Sequence, residues 1–218
     1  MTAYGAFLLA ALALGWWVAR RRAEIDAFHV DRMAPLLVAT GLVGAWLLGW
    51  VGGGPGGNRA LFGALLLSVG AGIAYCASQR LVLGPVGDTF APSMALGTAI
   101  GRIGCFFAGC CQGTPSGLPW ARDGRHPVQL YESSGALVVL ALVLVVRNRR
   151  QVPGEAFLAF GVGYGLLRFA LEFLRANHAP VAGGLTLHQW IAAAAVAACT
   201  ALFFARRSLY GSCLPAPS

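Results

Sequence analysis

Seven predominantly apolar stretches, at residues 4–19, 33–52, 60–78, 90–111, 129–146, 155–174 and 185–205, leave this chain few ways to fold. Each approaches the roughly 20 residues that a helix needs to cross a bilayer. A backbone facing lipid must pair its amides internally, and a helix does so within a single segment. Of the residues, 57% are hydrophobic and 11% charged, with a mean hydropathy of +0.68. Soluble domains carry about 25% charged residues. The expected fold is all-α: a polytopic membrane bundle of about seven transmembrane helices, forming one domain over residues 1–210. A short C-terminal tail at 211–218 is expected to be disordered.

The charges orient the bundle. All 16 basic residues are arginines, and ten of them fall in alternate gaps between spans: Arg20, Arg21, Arg22 and Arg32, then Arg80, then Arg147, Arg149 and Arg150, then Arg206 and Arg207. Arg59, Arg122, Arg125 and Arg175 fall in or beside the other gaps. The positive-inside rule then places the N-terminus outside and the C-terminus in the cytoplasm of a bacterial inner membrane. Short outer loops are expected near 53–59, 112–128 and 176–184. The first span has its arginines after the apolar core, the reverse of a cleavable signal peptide, and reads as a retained anchor. The net charge of +8 is explained by topology and anionic lipid. A nucleic-acid partner is excluded by the lack of a basic patch with interleaved aromatics.

Turn-forming runs punctuate the chain. The run from Gly52 to Asn58 cannot continue a helix; it would let backbone approach a lipid headgroup or serve simply as a loop. Gly84-Pro85 is expected to break the connection before the fourth span, and Val152-Pro153-Gly154 separates the fifth from the sixth.

Two spans carry buried charge, which costs several kcal/mol and marks function by default. Tyr164, Arg168, Glu172 and Arg175 are spaced to share one helical face. Arg168 and Glu172 either neutralise each other or form part of an interior stripe whose guanidinium groups hold a phosphate. Arg102 has no acid within its own stretch at 90–111, so it calls for an anionic ligand or a partner such as Glu172. Gly101, Gly104, Gly109 and Gly113 around it would allow close helix packing. Downstream, Pro127 is expected to start the fifth span, with Glu132 in its first turns, where a carboxylate also suits the helix dipole. His126, just before it, is either an inert loop histidine or a proton acceptor, a role that imidazole suits.

The six cysteines, Cys76, Cys105, Cys110, Cys111, Cys199 and Cys213, lie mostly in spans and form no secreted disulfide framework. Cys105, Cys110 and Cys111 are either small packing groups or, towards the oxidising side, candidates for a disulfide or covalent intermediate. No metal is expected, since the spacing is not Cys-x2-Cys and only His126 offers a nearby fourth ligand.

Three strings, taken together and in order, resemble the prolipoprotein diacylglyceryl transferase family. They are Gly101-Arg102-Ile103-Gly104 with Gly109 and Gly113, His126-Pro127-x-Gln129-Leu130-Tyr131-Glu132, and Tyr164-Gly165-x2-Arg168-Phe169-x2-Glu172-Phe173-x-Arg175. The resemblance runs from about Gly53 to Gln189. It implies a seven-helix enzyme that moves a diacylglyceryl group from phosphatidylglycerol to the lipobox cysteine of a secreted preprotein, releasing glycerol phosphate. No cofactor is implied. Such a displacement needs positive charge at the departing phosphate and a base for a thiol of pKa about 8.5. Carried over by position, Arg168, Arg102, His126 and Glu132 become the catalytic candidates. Tyr131, Gln129, Glu172, Arg175, Tyr164, Gly113, Cys105, Cys110 and Gln189 become substrate-binding candidates.

The chain also departs from the family pattern. Phe62 stands where a histidine is usual, Cys105 where an asparagine is usual, and Cys110 where a carboxylate is usual. The segment from Gln112 to Arg125 is short for the family. These changes leave open a related transferase with the same phospholipid donor and another acceptor, or a non-catalytic lipid-binding member of the fold. Phe107-Ala108-Gly109-Cys110 looks like a lipobox, which at an internal position reads as coincidence.

Overall fold

The computed structural model describes residues 3–51, 58–176 and 180–212. Most of the loop expected at 53–59, part of the one at 176–184, and residues 213–218 of the expected tail lie outside the described residues, as does the side chain of Phe62. The described chain is all-helical: α1 (Ala3–Arg21), α2 (Ala27–Val51), α3 (Asn58–Ser78), α4 (Leu83–Phe107), α5 (Val128–Arg149), α6 (Glu155–Glu172) and α7 (Leu187–Ser212). Among the described residues there is no strand, only four isolated bridges.

Four of the helices, α2, α4, α5 and α7, contain segments long and apolar enough to cross a membrane: Ala27–Trp50, Leu83–Phe107, Val128–Arg149 and Leu187–Tyr210. Their outward faces stay apolar, with Leu42, Trp46, Val138 and Leu202 all exposed, as a lipid-facing surface requires. α6 is set apart by Glu155, Arg168 and Glu172 within its 18 residues.

α4 is the axis of the bundle, packed against α1, α5 and α6, while α2 pairs with α3 and α6 with α7. Ala91 and Ala95 of α4 meet Val139 and Val143 of α5 and Ala156 and Phe160 of α6 in one buried cluster. The alanines let three backbones come close where no aqueous hydrophobic effect drives association. A second cluster joins Met33 of α2, Cys76 of α3 and Val86 of α4.

Two boundaries correct the sequence expectation. α4 begins at Leu83, so Gly84-Pro85 lies inside its first turn rather than breaking the chain before it. Proline is tolerated there because the first-turn N–H groups have no intrahelical partner to lose. The other end of the same helix stops at Phe107 rather than continuing to 111, for a reason that shapes the site.

An ionic network ties the end of the bundle at which α4 and α6 begin. Wholly buried Asp88 of α4 accepts hydrogen bonds from the backbone N–H groups of Gly154 (2.6 Å) and Phe157 (2.9 Å), capping α6 from a neighbouring helix. Arg150 Nη1 lies 3.1 Å from the same carboxylate and also pairs with Glu24. Arg147 holds Glu24 at 3.0 Å, and Arg207 holds Glu155 at 2.7 Å.

Candidate active site

At the opposite end of α4, side chains from α4, α6 and the turn after α6 converge on Glu132 of α5. α5 buries Gln129, Glu132, Ser133, Ala136, Val139 and Val143, a three-and-four spacing that points one face into the bundle. Glu132 is wholly buried on that face. Arg102 Nη2 stands 3.0 Å from its Oε1, and the Tyr164 hydroxyl donates to the same oxygen at 2.8 Å. Arg175 Nη2 lies 3.8 Å from Oε2, too far for a hydrogen bond, so Oε2 remains an unfilled acceptor. Arg102 therefore finds its partner in Glu132 rather than in Glu172. Ser133 fixes this register by donating to the Ala99 carbonyl of α4 at 2.9 Å.

The second carboxylate, Glu172, is buried at the end of α6. Arg168 Nη1 approaches its Oε2 to 2.7 Å one turn away, an ion pair without hydrogen-bond alignment. Its Oε1 receives the Thr186 hydroxyl at 3.2 Å, with His188 Nδ1 at 3.4 Å. The sequence placed Arg175 on the same helical face, but α6 ends at Glu172 and Arg175 arrives through the following turn. It is held there by bridge pairing with Gly113. Three guanidinium groups, Arg102, Arg168 and Arg175, thus surround two buried carboxylates, a formal excess of one positive charge (three minus two).

Gln189 is engaged inside the protein. Its Oε1 accepts the Thr186 N–H at 3.0 Å while its own N–H donates to the Thr186 hydroxyl at 3.3 Å, the reciprocal capping box that starts α7. Its Nε2 points to the Phe169 carbonyl at 3.4 Å. The Thr186-x-x-Gln189 spacing was a visible signal for this role. Thr186 and His188 are the residues that sequence reasoning passed over, since neither is charged within a span.

The loop after α4 lies near Arg175 and Arg102, whose charges act on Cys111. Gly109, at φ +68, ends the helix in a Schellman motif: the Gly109 N–H donates to the Phe106 carbonyl (3.2 Å) and the Cys110 N–H to the Cys105 carbonyl (3.2 Å). That motif folds Cys110 back over Cys105, and Cys111, itself left-handed at φ 60, completes a cluster in which all three sulfurs lie within 4.8 Å of one another. Gln129 donates from Nε2 to the Cys110 carbonyl, so this predicted site residue positions the loop. Hydrogen bonding with Cys105, reinforced by the charges of Arg175 and Arg102 and opposed by partial desolvation, lowers the Cys111 thiol to about 5.

Gly113 pairs with His126, its N–H donating to the His126 carbonyl at 3.0 Å. A Cβ there would stand 2.6 Å from that carbonyl oxygen, so only glycine lets the loop lie on the start of α5. The packing explanation for the other glycines holds at Gly104, which faces Phe7 of α1, and fails at Gly101, which has nothing within 4 Å. Pro127 precedes α5 as expected. His126 keeps a buried Nδ1 with no hydrogen-bond partner in the described structure, and Tyr131 accepts the Trp120 indole N–H at 2.7 Å.

A family model described as prolipoprotein diacylglyceryl transferase matches residues 55–205. The chain is 33% identical to the phosphatidylglycerol–prolipoprotein diacylglyceryl transferase of Finegoldia magna over 216 residues, covering 89% of this chain and 87% of that protein. It is 34% identical to the protein of the same description from Methylococcus capsulatus over 205 residues, covering 79% and 76%. For the one from Thermosynechococcus vestitus the identity is 30% over 231 residues, with 89% and 84% covered.

Proposed function

The chain belongs to the prolipoprotein diacylglyceryl transferase family, and we propose that it transfers the diacylglyceryl group of phosphatidylglycerol to the cysteine thiol of a lipobox-containing prolipoprotein. The observation that carries the reading is the convergence of three half-buried guanidinium groups, Arg102, Arg168 and Arg175, around the buried carboxylates Glu132 and Glu172. A phosphodiester bears one negative charge, which such a group of guanidinium donors attracts. The arginines supply hydrogen-bond donors that strengthen as charge gathers on the departing phosphate.

Arg102 and Arg168 hold the phosphate, with Glu132 and Glu172 keeping their guanidinium groups oriented before substrate arrives. Arg175 adds a third donor from the turn after α6, and Tyr164 fixes Glu132. His126 takes the acceptor proton through its unpartnered Nδ1. Tyr131, Gln129 and Gly113 shape the entrance by holding the loop that carries the cysteines. The acceptor sulfur then forms its bond to the glyceryl carbon as the carbon–oxygen bond breaks, and glycerol phosphate leaves with the electron pair.

The enzyme is read as a multi-pass inner-membrane protein of seven spanning helices. The arginine distribution supports a site facing outwards, where secreted preproteins emerge, with the C-terminus in the cytoplasm. The test is incubation of the purified protein with labelled phosphatidylglycerol and a lipobox peptide. Thioether-linked peptide and released glycerol phosphate are expected, and neither with a Cys-to-Ser peptide. Absence of product under conditions where one of the relatives succeeds would overturn the reading.

A further inference from the structure

The three clustered thiols have no assigned part in that reaction. Cys-x4-Cys-Cys is not a familiar metal-binding spacing, but the Schellman stop supplies the proximity that spacing alone does not. Cys110 occupies the position that folds back on Cys105, the third residue from the helix end. Cys111 turns its sulfur onto the pair by adopting a left-handed backbone, a conformation that costs a non-glycine residue about 1–3 kcal/mol. Among the described residues no histidine or carboxylate joins the group, so it offers three sulfur donors and no fourth protein ligand.

We propose that Cys105, Cys110 and Cys111 bind a zinc ion as thiolates and leave its fourth coordination position open to the thiol of the acceptor cysteine. This use of the ion rests on the transferase reading above. Tetrahedral zinc with bonds of about 2.3 Å brings its sulfurs to about 3.8 Å from one another. The present sulfurs, all within 4.8 Å, need only small side-chain movements to reach that spacing. Three protein ligands with one open position is the arrangement of catalytic rather than structural zinc. Cys110 and Cys111 are exposed, so the open position faces the side from which a peptide approaches. A zinc ion with three thiolates carries one net negative charge, rising to two when the acceptor thiolate binds. The nearby Arg102 and Arg175 offset that charge.

The ion gives the reaction what a thiol of pKa about 8.5 lacks at neutral pH, because a thiol bound to zinc is held deprotonated. On binding, the acceptor S–H proton passes to His126 or to water. A sulfur electron pair forms the bond to the glyceryl carbon, and the carbon–oxygen bond breaks with its pair going to glycerol phosphate. Zinc is neither oxidised nor reduced and remains on the three cysteines.

The test uses the tag-free full chain in detergent. Metal analysis should find one zinc per chain. Cobalt substitution should show thiolate charge-transfer and tetrahedral absorption bands that shift on adding a lipobox peptide but not its Cys-to-Ser counterpart. Each of Cys105→Ser, Cys110→Ser and Cys111→Ser should lower zinc content at least ten-fold, while Cys199→Ser leaves it unchanged and gel filtration confirms that each variant is folded. Chelation should lower transfer at least ten-fold at pH 7, with zinc restoring it. A folded chain that binds no zinc with its thiols free, or that carries a disulfide within the cluster, overturns the proposal. Undiminished transfer by the zinc-free protein also overturns it and leaves the transferase reading intact. Zinc binding with a cobalt spectrum that responds to the cysteine peptide, but with no transfer from phosphatidylglycerol, supports the metal site and overturns the transferase reading instead.

Discussion

Arg102 on α4 holds Glu132 on α5 at 3.0 Å, with the carboxylate wholly removed from solvent. A buried charge deprived of its partner typically costs about 3–5 kcal/mol, because the survivor keeps its desolvation penalty without compensation. Glu132→Gln keeps the shape and an acceptor for Tyr164 but raises the network's formal excess from one positive charge to two. We expect a lower unfolding temperature in detergent and a loss of transfer. An unchanged unfolding temperature would show that the pair is not a structural centre of the site.

Arg168 has a different expected signature. Arg168→Ala removes a donor proposed to face the departing phosphate and should lower turnover by about 10²-fold or more. Arg168→Lys keeps the charge but not the planar fork, and should recover only part of the rate. Steady-state release of glycerol phosphate measures both, and full activity in the alanine variant would remove Arg168 from the chemistry.

Asp88 lies at the far end of α4 and caps α6 from outside that helix. Asp88→Ala leaves two backbone donors and Arg150 without their acceptor, an expected loss of roughly 3–5 kcal/mol. The fraction that remains folded should show an unaltered KM for phosphatidylglycerol. A changed KM would mean that this end of the bundle communicates with the site.

Gln189 separates two assignments cleanly. As a capping-box residue, its replacement by alanine should cost about 1 kcal/mol of stability, and Gln189→Glu should retain most of the box. As a substrate-binding residue it should instead change KM at constant stability. Thermal unfolding and kinetics on the same preparations distinguish the two.

In chelator-treated protein, Cys111 should react with iodoacetamide as its thiolate, with a midpoint near pH 5 rather than near the ordinary value of about 8.5. The sign follows from a depressed folded-state pKa. The stabilisation is fully present above the unfolded pKa and is lost as pH falls through about 5. A midpoint at the ordinary value in the folded chain would show that Cys105, Arg175 and Arg102 do not act on this sulfur. Cys111→Ser identifies the reacting site.

Much of this molecule is legible in the order of its residues. Apolar stretches of spanning length dictate helices, because lipid offers no partner for an unpaired amide. Pro127 and Val152-Pro153-Gly154 mark helix limits through local backbone chemistry, and the arginines within spans single out a candidate site because an isolated charge there is so costly. Those inferences use interactions that are local in the chain or common to any chain in a membrane.

Only the tertiary structure decided which charge meets which. Arg102 pairs with Glu132 rather than Glu172 because α4 packs against α5 through the register that Ser133 and Ala99 set. Asp88 becomes the cap of a helix more than sixty residues later, and Gln189, outwardly a site residue, turns inward to start α7. The cysteines show the division most clearly. Gly109 reads in the sequence as a packing glycine, whereas the approach of three sulfurs depends on the helix stop it makes, on hydrogen bonds across that turn and on the buried Gln129 that holds the Cys110 carbonyl. Ion pairs and clusters form between surfaces whose relative placement is fixed by packing, and no spacing along one segment contains that information.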